Sequence, residues 1–404
     1  MMPTLHSLCV AVLCLGLALS GCTTVLDRSP VPEALIDTAQ PYGIDAPDLR
    51  QWGDFIVPEQ ISGLMRERAQ VLRTVYGEDI RAGRTIETAT LALSGGGPDG
   101  AFGAGLLKGW SERGDRPEFS AVTGISTGAI IAIFAFLGAD YDGALEEIYT
   151  TYTTVQLLSP AIGAAILGGS ALSDARGYRQ LIDQYLNTEI LARLAEAYNQ
   201  GRTLLIGTTN LDASRPVTWN IGAIAASGHP SALRLIRDIV QASSAIPAAF
   251  PPVLIPVEAG GERYDEMHVD GGATQQVMLY SPQVSLRMFD RMTGARFKRA
   301  LYVIINNKLR KPYAPVSPRI LSIAPKAASS LISGSGTGDL YKIFAIAQRD
   351  GITMNITGIP QDFNAEPAGL FDPVYMRALF DLGYEIGKRG GDWSPYPPDY
   401  APFP

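Results

Sequence analysis

Twice in succession the chain runs from a short apolar stretch, through a turn bounded by glycines, into helix-forming sequence. The first passage is LALSGGGPDGAFGAGLL, from Leu91 to Leu107; the second is FSAVTGISTGAIIAIFAFL, from Phe119 to Leu137. Strand, turn and helix in repeated alternation build a largely parallel sheet covered by helices on both faces, because each crossover must return the chain to the same sheet. Strands are predicted at 90–93, 119–123, 203–208, 217–221 and 300–306. Helices are predicted at about 100–113, 129–137, 176–200, 324–349 and 371–388, with a leading helix within 56–81. The fold class is therefore α/β.

The 404 residues are 46% hydrophobic and 18% charged, which suits a globular chain. A net charge of -7 offers no basic face, so nucleic acid is not an expected partner. It also argues against strong electrostatic docking onto anionic headgroups. Leu8 to Leu19 is an almost unbroken apolar run, short for a membrane span and suited to the h-region of an export signal. It ends in Leu19-Ser20-Gly21-Cys22, which resembles the bacterial lipobox, although the preceding residues include His6 but no Lys or Arg. The cysteines agree: Cys9 and Cys14 would leave with the signal, and Cys22 would remain alone as the lipidated first residue. Thr23, rather than Asp, after that cysteine implies outer-membrane sorting of an exported, membrane-anchored lipoprotein. The organisation expected is a signal peptide at 1–21, a tether and leading helix at 22–87, a main α/β domain at 88–389 and a Pro-rich tail at 390–404. Residues 22 to about 55 read as tether with little structure of its own.

Gly124-Ile125-Ser126-Thr127-Gly128 is a G-x-S-x-G between a predicted strand and a predicted helix. In that context a serine stands free of the sheet on a tight turn, and flanking glycines allow close backbone approach. The same five residues could equally be a structural turn with an N-capping serine. A nucleophilic serine needs a base, and outside the leader only His229 and His268 are histidines. Neither lies in a favourable setting, and both read better as surface or packing residues. Asp270, followed by Gly271 and Gly272, is the better partner, since a carboxylate held in hydrogen-bond reach can take the serine proton directly. Alone, Asp270-Gly271 is also an ordinary turn.

Taken together and in order, these pieces resemble the patatin-like phospholipase family. The matching features are the glycine turn Gly95-Gly96-Gly97-Pro98-Asp99-Gly100, the elbow from Gly124 to Gly128, the block Ala242 to Pro252 (ASSAIPAAFPP), and Asp270-Gly271-Gly272. The resemblance spans about 88–389. It implies a three-layer α/β/α fold with a mostly parallel central sheet. It implies a lipid acyl-ester hydrolase of phospholipase A type with Ser126 as nucleophile, Asp270 as general base, and Gly95, Gly96 and Gly97 as oxyanion donors. Gly124 and Gly128 shape the elbow. No cofactor and no metal are expected; the substrate is a membrane lipid or another acyl ester.

Asp99 departs from the family pattern, which often carries Arg or Lys there, and this puts a phospholipid headgroup preference in question. The apolar, charge-free stretch 155–172 is either a lid over an acyl groove or a buried core segment. Two other functions compete with this reading. Gly95, Gly97 and Gly100 have the G-x-G-x-x-G spacing of a dinucleotide site, but no acid ends the second strand to hold a ribose. A non-catalytic envelope lipoprotein using the fold as a scaffold would have no need of Ser126, Asp270 and the glycine turn together.

Overall fold

The computed structural model describes residues 28–401, except 57, 162–169, 172, 311, 312 and 314. The export signal, Cys22 and half of the proposed lid lie outside the described residues.

Five strands form the parallel centre of the sheet: β1 (Thr85–Leu93), β2 (Phe119–Ile125), β3 (Thr203–Asn210), β7 (Arg296–Lys308) and β8 (Thr353–Ile359). Their spatial order is β3-β2-β1-β7-β8. Beyond β3 the sheet turns antiparallel through β4 (Arg215–Asn220), β5 (Val253–Ala259) and β6 (Glu262–Asp270). The result is a three-layer α/β/α sandwich whose sheet is parallel at its centre and antiparallel on one flank.

Alternation along each strand sorts the side chains. On one face Leu91, Leu93, Val122, Leu204 and Ile206 are wholly buried. The helices Gly100–Arg113 and Thr127–Leu137 cover this face, and Pro373–Arg389 packs on the first of them. That last contact is close because both helices present glycines: a Cβ on Gly105 would strike the Phe380 carbonyl, and one on Gly383 the Phe102 carbonyl. The opposite face is overlain by the helices Pro58–Val75, Leu286–Thr293 and Ile320–Asp350.

Two expectations need correction. The predicted helix at 176–200 is two helices, Arg176–Tyr185 and Thr188–Asn199. Asn187 breaks it, its side-chain oxygen capping the backbone amides of Glu189 and Ile190. The expected tether is docked from Arg28 onward. Gln40–Pro41 pairs with β5 and Arg50–Trp52 with β4, burying Ala39, Leu49 and Trp52. A buried ion pair fixes this segment: Arg50 meets Glu266 at 2.5 Å, and His268 lies 3.0 Å from the same carboxylate oxygen. Burial works to raise the Glu266 carboxyl, but Arg50 and His268 hold it down to about 2. The Pro-rich tail is also packed: Ser394 bridges to Ile356, and Trp393 lies against Trp110 and Tyr302.

Candidate active site

Strand β3 brings the two key residues together. Its residues 203–207 pair with β2, and its residues 208–210 pair with β6. Residues 205–210 of β3 also pair with β4, which occupies the other edge. So β2 and β6 share one edge of β3, run in opposite directions, and meet end to end at their C-termini. Ser126 follows the last residue of β2, and Asp270 is the last residue of β6.

The serine sits on an unusual backbone, with φ 57° and ψ -126°. A non-glycine residue there carries strain of about 1–3 kcal/mol, so its surroundings must hold it. The glycines do so by letting backbones touch. A Cβ on Gly124 would collide with the Gly128 carbonyl, and one on Gly128 would lie 2.6 Å from the carbonyl oxygen of Leu93. The Ser126 amide donates to Ser243 Oγ at 2.9 Å, and Ser243 Oγ in turn donates to the Gly207 carbonyl at 2.6 Å.

Ser126 Oγ donates to Asp270 Oδ2 at 2.7 Å. The other carboxylate oxygen, Oδ1, accepts from the Gly272 amide at 2.7 Å, and the Asp270 amide donates to the Ala245 carbonyl. Both side chains are nearly inaccessible. Burial pushes the Asp270 carboxyl up to about 6, against the opposing hydrogen bonds from Ser126 and Gly272. The ASSAIPAAFPP block thus acts at both ends of the pair, Ser243 on the serine and Ala245 on the aspartate. Neither contact is legible in the block itself, because each partner lies far away in the sequence.

The glycine turn is only partly as expected. Gly95 packs against Ser126, its missing Cβ leaving 3.2 Å to the serine Cβ. Its amide, however, donates to the Gln276 carbonyl at 3.0 Å, so Gly95 is not a free donor. Gly96 and Gly97 have no such partner among the described residues, and Gly97 uses the left-handed region at φ 57°. Gly96 is pressed onto the Asn306 backbone, and Asn306 anchors the turn through Ser94, giving its amide to Ser94 Oγ at 2.9 Å and its side-chain amide to the Ser94 carbonyl at 2.9 Å. The helix Thr127–Leu137 starts at the serine and aims its first amides at the site.

Asp99 accepts from the Tyr375 hydroxyl at 2.7 Å, which ties the turn to the final helix. The histidines stand apart from Ser126. His268 is fully buried, with Nδ1 2.9 Å from Thr208 Oγ1 and Nε2 facing Glu266. His229 bonds Ser231 in a loop. A narrow apolar pocket opens at Ser126, lined among others by Ile130, Leu157, Tyr178, Leu181, Phe250 and Phe371. Leu157 belongs to the stretch expected as a lid; it is buried, while Val155 is 85% exposed.

Residues 91–280 match the family model described as patatin-like phospholipase. The chain carries a patatin-like phospholipase domain. The matched span holds Gly95, Ser126 and Asp270, and the family as a whole is one of lipid hydrolases. Among solved structures, the chain is similar to VipD from Legionella pneumophila, at 13% identity and a TM-score of 0.37, covering 76% of this chain and 67% of that one. It is also similar to human GIVD cytosolic phospholipase A2, at 10% identity and a TM-score of 0.30, covering 79% of this chain and 55% of that one. No curated protein matches the chain.

Proposed function

We infer that this chain is a lipid acyl-ester hydrolase that works through Ser126 and Asp270. The observation that carries the reading is the 2.7 Å hydrogen bond from Ser126 Oγ to Asp270 Oδ2, on a strained elbow at the mouth of an apolar pocket. Ser126 Oγ attacks the ester carbonyl carbon as its proton passes to Asp270 Oδ2. The negative charge on the carbonyl oxygen falls to the amides of Gly96 and Gly97. A preorganised donor of this kind contributes about 3–4 kcal/mol. The alcohol leaves with the proton from Asp270, and Ser126 keeps the acyl group. Water then attacks the acyl-enzyme and gives its proton to Asp270, which passes it to Ser126 Oγ as the carboxylic acid departs. The side chains of Ile130, Leu157, Leu181 and Phe371 suit an acyl chain rather than a polar leaving group.

A carboxylate base with a pKa near 6 is ionised at neutral pH yet still basic enough to take a proton. The phospholipase A assignment and the choice between phospholipid and neutral glycerolipid belong to this proposal, as does anchoring through Cys22 at the outer membrane. The lipobox-like Leu19-Ser20-Gly21-Cys22 supports the anchor. Replacing Cys22 by Ser should move the protein from the membrane fraction to the soluble one; unchanged fractionation would count against it.

The deciding experiment is labelling with a fluorophosphonate probe together with hydrolysis of short-chain esters. Wild type should label and turn over. Ser126→Ala should abolish both, and Asp270→Asn should lower turnover by about 10³–10⁴-fold, by analogy with loss of a triad acid. A wild-type protein that neither labels nor hydrolyses would leave the scaffold reading in its place.

A further inference from the structure

A cavity of about 290 Å³ lies beneath the helix Pro58–Val75, on the sheet face away from the apolar helices that follow the glycine turns. This volume is near the lower end for small-molecule sites. Its floor is made of hydroxyl residues, Thr88, Thr90, Ser120, Thr123 and Thr203. Its roof and side walls are apolar, with Met65, Leu72, Met278, Leu279 and Phe289. Ser126 and Asp270 are not among the residues that line it.

One cation lines this chamber without a carboxylate of its own. Arg68 donates through Nη2 to the Gly201 carbonyl and, at 2.7 Å, to Thr203 Oγ1. Both acceptors are neutral, and among the described residues no carboxylate forms an ion pair with Arg68. Burial holds its guanidinium below the ordinary value, against the pull of Tyr198, Asp48, Tyr76 and Glu67. Arg50 provides the contrast. It comes from the same N-terminal segment, is buried more deeply than the half-buried Arg68, and is matched by Glu266 at 2.5 Å. The cavity's own acid, Asp48, acts on Arg68 only through space, since its oxygens accept from Gln51 Nε2 and Asn220 Nδ2, each at 3.0 Å. Arg299, on the far wall, is closed off by a bidentate pair with Asp290. Tyr76, Tyr198 and Tyr280 complete the ionisable lining.

A half-buried cation with no ion-pair partner is stabilised when an opposite charge is brought beside it. We propose that this chamber is a binding site for a carboxylate carried on an apolar body, with the headgroup on Arg68 and the chain among Met65, Leu72, Met278 and Phe289. Among the described residues no hydrogen bond engages Arg68 Nε or Nη1, which suits a planar carboxylate. A dianionic phosphate suits the site less well, because one cation must serve it and Asp48 shares the chamber. The site stands apart from the reaction at Ser126 and does not depend on it.

The test uses the full-length protein, with dodecanoate and dodecanol titrated below their micellar concentrations. Dodecanoate should bind wild type about tenfold or more tightly than dodecanol, the margin of a charge-assisted pair. Arg68→Met should erase that preference, and Arg68→Lys should restore part of it. A dodecanoate bearing a terminal diazirine should label peptides spanning 65–72 and 275–289, in wild type and in Ser126→Ala alike. Equal affinity for acid and alcohol would overturn the proposal. So would labelling confined to peptides that contain Leu157, Phe371 or Met376, which line the pocket at Ser126. Should Arg68→Met fail to fold, the wild-type ligand comparison and the labelled peptides still decide.

Discussion

Along β1, Leu91 and Leu93 point to one face of the sheet while Thr88 and Thr90 point to the other. The first pair is wholly buried under helices rich in Ala, Gly and Ile. The second pair lines a chamber and is only half-buried. The same strands thus make a dry, close-packed face and a hydroxyl-bearing, incompletely filled one. Packing on the first face holds the elbow at Ser126, since Gly124 and Gly128 can touch their neighbours only if the helix sits tightly. The second face tolerates a void because its helices are held from the sides, through contacts such as Met65 and Ala69 on Phe289. Rigidity is concentrated where a strained serine needs it.

That contrast can be broken by mutation. The largest stability effect should come from the N-terminal ion pair. Arg50→Met leaves Glu266 buried without its cation and should cost about 3–5 kcal/mol in urea unfolding. Arg68→Met removes a cation that has no carboxylate partner and should cost less than half as much. Near-equal losses would mean that Arg68 is structural in the same sense as Arg50. On the dry face, Leu93→Ala should cost about 2–5 kcal/mol, because the cavity left behind cannot collapse.

The pH dependence separates activity from stability at Asp270. Its carboxyl ordinarily titrates at 3.8 and is raised to about 6 in the fold, burial outweighing the hydrogen bonds from Ser126 and Gly272. The folded protein therefore holds this proton more tightly than the unfolded chain. The stabilisation from this group is complete below pH 3.8 and is lost as pH rises through about 6. Activity runs the other way, because the base must be ionised. A profile of kcat/KM should rise through pH 6, and a limb elsewhere would show that another group governs it. The smallest effect is expected at Thr90→Val on the chamber face. Its hydroxyl makes no hydrogen bond among the described residues, so melting should shift by no more than about 0.5 kcal/mol.

Much of the centre was legible from local pattern. The helix after the glycine turn runs Gly100–Arg113 as expected, and β2 extends two residues beyond its predicted end, to Ile125. Short-range signals suffice there, since apolar runs and glycines act within a few residues. The antiparallel flank was less legible. Its hairpin of β5 and β6 carries mixed residues such as Glu262, Arg263, Asp265 and Glu266, which give no clean alternation. The docking of residues 28–55 was hidden for a related reason, because Pro and Asp look like linker until Arg50 finds Glu266 across 216 positions. Gly95 shows the same limit at the site. Nothing in GGGPDG says that its amide will be taken by Gln276, which lies far along the chain.

The sequence by itself determined the order of strand, turn and helix and placed a serine on a glycine-bounded elbow. Those are properties of neighbouring residues and their steric demands. Tertiary structure alone decided that β2 and β6 abut on one edge of β3, and so that Ser126 and Asp270 meet. It also decided which glycine amides stay free and that Arg50, not Arg68, receives a carboxylate. Each of those outcomes depends on residues distant in sequence competing for the same space, hydrogen bond or charge, and that competition is resolved only when the chain has packed.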